Sequence, residues 1–138
     1  MSHLQIIITV PIPQTDQNRK TTSWAIDAGR RKRDVKKAQQ AVDTYFGNMG
    51  VEERNNLKLP WDSAVIHVKW FHPTKKHKDI WNIVGSLKGT VDGIVRSGIL
   101  VDDDKLQPPT VERLTDKDSP RVELYFTKGQ RKFQGVIR

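Results

Sequence analysis

Between Asp79 and Gly98 the chain carries the pattern that most restricts its fold. Ile80, Ile83, Leu87, Val91 and Ile94 recur at steps of 3, 4, 4 and 3, the spacing that places all of them on one side of an α-helix. Asp79 is a residue type that caps a helix N-terminus, and Gly98 one that ends a helix. The spacing therefore predicts a helix over 79–97 with one continuous apolar face. Trp81, Gly85, Lys88 and Asp92 follow at steps of 4, 3 and 4 and form a second stripe roughly opposite, with Asp79 and Asn82 to one side of it. Lys88 and Asp92, four apart, are spaced to pair directly.

The remaining elements are shorter. Residues 5–10 (QIIITV) read as a buried strand, stopped by Pro11 and Pro13, which have no N–H to donate. Residues 63–72 alternate: Ala64, Ile66, Val68 and Trp70 share one face, and Val65, His67, Lys69 and Phe71 the other. Val35, Ala38, Val42, Tyr45 and Phe46 predict a helix over about 34–47, with stop signals at Gly47, Asn48 and Gly50. Residues 107–114 and 119–126 read as two closing strands with a polar turn between them. Residues 14–33 hold little apolar material and read as a basic loop; 127–138 read as a flexible basic tail. The order strand, helix, strand, helix, strand, strand predicts one domain over 1–138 of mixed α/β (α+β) class, a small mixed sheet with two main helices packed on it.

Charge narrows the partner. The 138 residues carry 24 Lys and Arg against 16 Asp and Glu, a net charge of +8, and such a balance points to a polyanion, most often nucleic acid. The cations cluster: Arg19, Lys20, Arg30, Arg31, Lys32, Arg33, Lys36 and Lys37 face only Asp27 and Asp34 in their span, and Lys75, Lys76 and Lys78 form a second group. In loops these are candidate phosphate contacts; a solvated surface is the other reading. Trp24, inside the first cluster, suits either stacking on a base or plugging the loop. The chain has no cysteine, which excludes disulfides and thiolate zinc sites and fits a reducing compartment. No apolar run approaches the ~20 residues of a membrane span, and the first residues lack a signal peptide's basic start and cleavage site. His67, His72 and His77 join no evident ligand set, and no nucleophile elbow or phosphate-binding glycine loop is present.

Acidic residues are scarce yet gather around the 79–97 helix: Asp79 at its start, Asp92 near its end, and Asp102, Asp103 and Asp104 just beyond. Mg²⁺ prefers one or two carboxylates plus substrate phosphate, and two such ions can clamp both oxygens of a phosphodiester under attack. Taken singly, Asp79 reads equally as a cap and the triplet as an acidic turn. Only together do they suggest a metal site within a basic protein.

Four segments together resemble the RusA-like Holliday junction resolvases of bacteria, phages and prophages, over most of the chain. ITVPIPQTDQNRK is similar to the family's opening strand, proline-rich turn and Asn-Arg. VIHVKWFHP with KKHK is similar to its central strand and basic turn, and RVELYF to its closing strand. KDIWNIVGSLKGTVDGIVRSGILVDDDKL is similar to its core pattern: Asp-x-Asp-Asn, a Lys, an Asp four residues later, then a Gly and an Asp-Asp pair.

The resemblance implies a homodimeric, Mg²⁺-dependent endonuclease, with Mn²⁺ able to substitute. It would nick four-way DNA junctions in recombination and repair, in the cytoplasm of a bacterial host. It implies catalytic roles for Asp79, Lys88 and Asp103 and a metal set of Asp79, Asp92, Asp102 and Asp103. DNA contacts would come from Asn18, Arg19, Lys20, Arg30, Arg31, Lys32, Arg33, Lys75, Lys76, Lys78 and Asn82. One position departs from the pattern: the second aspartate falls at 81, where this chain has Trp81. An indole cannot ligate a hard cation. Three readings follow: junction binding without cleavage, substitution by another carboxylate such as Asp104, or a changed residue in an active frame.

Overall fold

Alternation along four strands builds the core. In the computed structural model, which describes residues 4–13, 24–101 and 106–129, β1 (Gln5–Val10), β2 (Ala64–His72), β3 (Thr110–Thr115) and β4 (Arg121–Lys128) form one sheet in the order β1-β4-β2-β3. Successive strand residues point to opposite faces. Thus Ile6, Ile8, Val10, Ile66, Val68, Trp70, Val122, Leu124 and Phe126 all turn to one side and are buried. Onto that side pack α1 (Trp24–Gly47), through Ala38, Val42 and Phe46, and the pair α3 (Ile80–Ser86) and α4 (Lys88–Arg96), through Ile83 and Ile94. The result is a mixed α+β fold. A further helix, α2 (Val51–Leu57), has too short and polar a sequence to show a period; it contributes Leu57 to the core. No helix among the described residues is long and apolar enough to cross a membrane.

Three expectations need correction. The helix over 34–47 begins ten residues earlier, at Trp24, so residues 24–33 are helical rather than part of a loop. The reason lies at Arg31. The buried row of α1 steps back from Val42 through Ala38 and Val35 to position 31, where a cation occupies the place of an apolar residue, and the apolar period stops there.

The 79–97 helix is two segments meeting at Leu87, where the Leu87 amide bonds the Val84 carbonyl one residue early. Ser86 Oγ donates to the Asn82 carbonyl at 2.8 Å. A Gly-Ser pair with such a back-bond is a known cause of helix bending. Ile80, expected on the apolar face, is 44% exposed at the first turn.

The closing strands, expected at 107–114 and 119–126, run over Thr110–Thr115 and Arg121–Lys128, so residues 127 and 128 belong to β4 rather than to a flexible tail, and the two strands are not neighbours in the sheet. β2 pairs parallel with β3 and antiparallel with β4, while β4 also pairs antiparallel with β1. β4 alternates buried residues along most of its length and takes a central place. β3 is mostly exposed and lies at the edge.

Two contacts position the site. Gly89 and Gly93 lie one turn apart on α4 and bring it against α1. A Cβ at Gly89 would come within 2.9 Å of Asp34 Cβ, and one at Gly93 would overlap the Val35 carbonyl and meet Ala38 Cβ at 2.8 Å. The segment 102–105 is bracketed by two parallel bridges, Trp61 with Leu100 and Ala64 with Leu106. Trp61 is held in turn by its Nε1–H on the Leu57 carbonyl at 2.7 Å.

Candidate functional site

A cavity of about 450 Å³ opens between α1, the α3–α4 pair and the sheet. Ile66, Val68 and Leu124 form its floor, Val84, Leu87 and Val91 one wall, and Leu106, Gln107 and Pro109 another. Its charged groups are Arg31, Lys88 and Asp92. An apolar cleft with a few convergent charges is the common form of a binding site. Here the charges come from two helices held together by Gly89 and Gly93, and Leu106 begins the chain just past the acidic triplet. A second cavity, about 320 Å³, shares Arg31 and Asp92 with the first and is lined by Ala28, Lys32, Val35 and Arg96 as well.

The expected pairing of Lys88 with Asp92 is not formed. Asp92 Oδ2 instead pairs with Arg96 Nη2 at 3.0 Å, also four residues away. The order acid-then-base along a helix suits the helix dipole better than base-then-acid. Lys88 is exposed and makes no hydrogen bond or ion pair with a described residue. Its side chain lines the cavity.

Asp79 stands elsewhere. It caps α3, its Oδ1 accepting the Asn82 N–H at 2.8 Å. Asp92 lies thirteen residues on, in α4, beyond the break at Leu87. Among the described residues no group of three His, Cys, Asp or Glu side chains is placed to hold a metal. Mg²⁺ takes one or two carboxylates with substrate phosphate, and Asp92 supplies one at the cavity beside Lys88; the further expected carboxylates, Asp102, Asp103 and Asp104, lie outside the described residues, as do Asn18, Arg19 and Lys20 and the tail from 130.

Of the other expected DNA contacts, Arg30, Arg31, Lys32 and Arg33 are consecutive on α1 and fan around about 300° of it. They do not share one face of the helix; Arg31 lines both cavities described above, and Lys32 lines the second. Asn82 is buried, with Ser86 Oγ 3.5 Å from its Oδ1, which leaves little of it to meet DNA. Lys75 and Lys76 are exposed on the turn before α3. Lys78 Nζ lies over the Trp70 ring at 5.6 Å, and Arg113 donates to the Lys78 carbonyl at 3.4 Å. Trp81, on the first turn of α3, is 84% exposed.

His72 holds this turn in place. It follows Ala64, Ile66, Val68 and Trp70 on the buried face of β2, and a polar residue in that register was the signal in the sequence. The Lys78 N–H donates to His72 Nε2 at 3.1 Å, so Nδ1 carries the proton and donates to the Leu114 carbonyl at 3.1 Å. His77 stacks on its ring with centroids 4.2 Å apart. Burial foremost pushes the His72 pKa below the ordinary imidazole range, and the neighbouring His77, Lys78 and Arg113 push the same way, against the Leu114 hydrogen bond. The ring stays neutral, and its neutral form anchors the residue before Asp79. No family model and no curated protein matches the chain.

Proposed function

We propose that this chain is a Mg²⁺-dependent endonuclease that nicks four-way DNA junctions as a homodimer. One observation carries the reading: Lys88 and Arg31 line an apolar cavity whose far wall continues from the acidic triplet, in a chain of net charge +8. Positive charge draws DNA to such a surface. Lys88 would contact the scissile phosphate, where an ammonium favours the charge that develops in the transition state. Bound Mg²⁺ would supply charge neutralisation at the phosphate. Its ligands would be Asp102 and Asp103 with one of Asp79 and Asp92. The resemblance and a junction's twofold symmetry support the dimer.

A second reading, a junction-binding protein that does not cut, is favoured by Trp81, which removes a carboxylate from the pattern. Cleavage of a labelled junction in Mg²⁺ and in Mn²⁺ separates the two. Paired nicks near the crossover by the protein as it stands support the enzyme. Nicks only from Trp81→Asp mean that the indole has turned an endonuclease frame into a binder. No product from either variant, in either metal, overturns the enzyme reading.

A further inference from the structure

Trp81 and the turn before it form a surface that the catalytic reading does not use. An indole 84% exposed is unusual, and its neighbour Ile80 is 44% exposed. The turn that leads into α3 is cationic: Lys75 and Lys76 are exposed on it, and Arg113 of β3 donates to the Lys78 carbonyl. The one carboxylate close in sequence, Asp79, is turned back to cap the helix. A flat aromatic face among cations repels a cationic partner and suits a group that is itself flat and attached to anions.

The helix also places Trp81 relative to the cavity. Val84 lies three residues past Trp81 on α3 and lines the cavity, so the indole stands one helical turn from the rim. A membrane surface suits the pattern less well: on the same turn Asn82 and Ile83 are buried, so only two apolar side chains face out.

We propose that Trp81 is a stacking platform for an unpaired base of branched or single-stranded DNA. The base lies on the indole, and the lysines of the 75–78 turn take the adjoining phosphates. This rests on the nucleic-acid part of the reading above and does not need cleavage. Stacking of this kind tolerates any base and is the usual way in which proteins hold single strands.

The test is done in EDTA, so that no strand is cut. Oligothymidylate, a four-way junction and a matched duplex are titrated against the protein, Trp81→Phe, Trp81→Ala and the distant exposed control Val51→Ser. Oligothymidylate is expected to quench tryptophan fluorescence, and Trp81→Phe to lose that quench while retaining most affinity. Trp81→Ala is expected to weaken oligothymidylate and junction binding about 5- to 100-fold, with duplex binding and Val51→Ser unchanged. The proposal is overturned if Trp81→Ala binds oligothymidylate as the parent does, if duplex affinity falls in parallel, or if the quench survives in Trp81→Phe. It is also overturned if the parent binds no single strand, or if only anionic phosphatidylserine vesicles change the Trp81 emission. A parent that stacks on oligothymidylate but never nicks a junction refutes the endonuclease and leaves this inference standing.

Discussion

At the scale of single residues, two side chains link stability to the site. Asp79 caps α3, and Asp and Asn cap equally well. Asp79→Asn is therefore expected to leave the urea midpoint nearly unchanged, while Asp79→Ala lowers stability by about 1 kcal/mol. If the carboxylate also holds metal, Asp79→Asn loses nicking with its stability intact, and that split is what distinguishes a ligand from a cap. His72 gives a pH dependence. Folding holds its ring neutral, so the unfolded chain binds the proton more readily. Stability is then complete above the unfolded imidazole value, about 6.5, and declines as pH falls below it. Urea melts at pH 7.5 and 5 should show the decline. His72→Gln, which can accept from the Lys78 N–H and donate to the Leu114 carbonyl, should flatten it.

At the scale of elements, the α1–α4 contact depends on an absence of side chain. Gly93→Ala would put a methyl group onto the Val35 carbonyl. It is expected to cost about 1–3 kcal/mol, read as a lower urea midpoint, and to displace Arg31 and Asp92 relative to each other. The same contact explains what the sequence made legible and what it hid. β1 follows from its apolar run, β2 from alternation and the caps of the 79–97 run from residue type, and the structure has their bounds within a residue or so, although β1, read as buried, buries only alternate residues. The first ten residues of α1 were hidden because Arg31 takes an apolar position, and the break at Leu87 because a Gly-Ser pair disturbs the backbone without disturbing the apolar period. Strand order was hidden for another reason: β3 and β4 are neighbours in sequence, and only burial decides which is central. At the site, the acid and base types were readable, but the exchange of partners from Lys88 to Arg96 depends on side-chain direction.

At the scale of the whole molecule, charge governs how the protein meets its ligand. Each lysine on a phosphate releases a counterion, so the logarithm of affinity falls with the logarithm of salt concentration in proportion to the contacts made. Replacing Lys75 and Lys76 together with alanine is expected to reduce that slope by about 2 for junction DNA. The change should be alike for all sequences, since phosphates carry none. A gel-shift series between 50 and 200 mM salt measures it. An unchanged slope would mean that the 75–78 turn lies off the DNA path.

The placement of β4 has a consequence for how the chain is made. β1 is translated first, yet its one neighbour among the described residues is β4, more than a hundred residues later. At about 5–20 residues per second, that hydrophobic strand waits on the order of ten seconds at the ribosome with nothing to pair against. β2 waits as well, since both of its neighbours, β3 and β4, follow it in the chain. Until the last strand emerges the sheet exists only as separate pieces, so the newborn chain is a natural client for a chaperone that shields extended apolar segments.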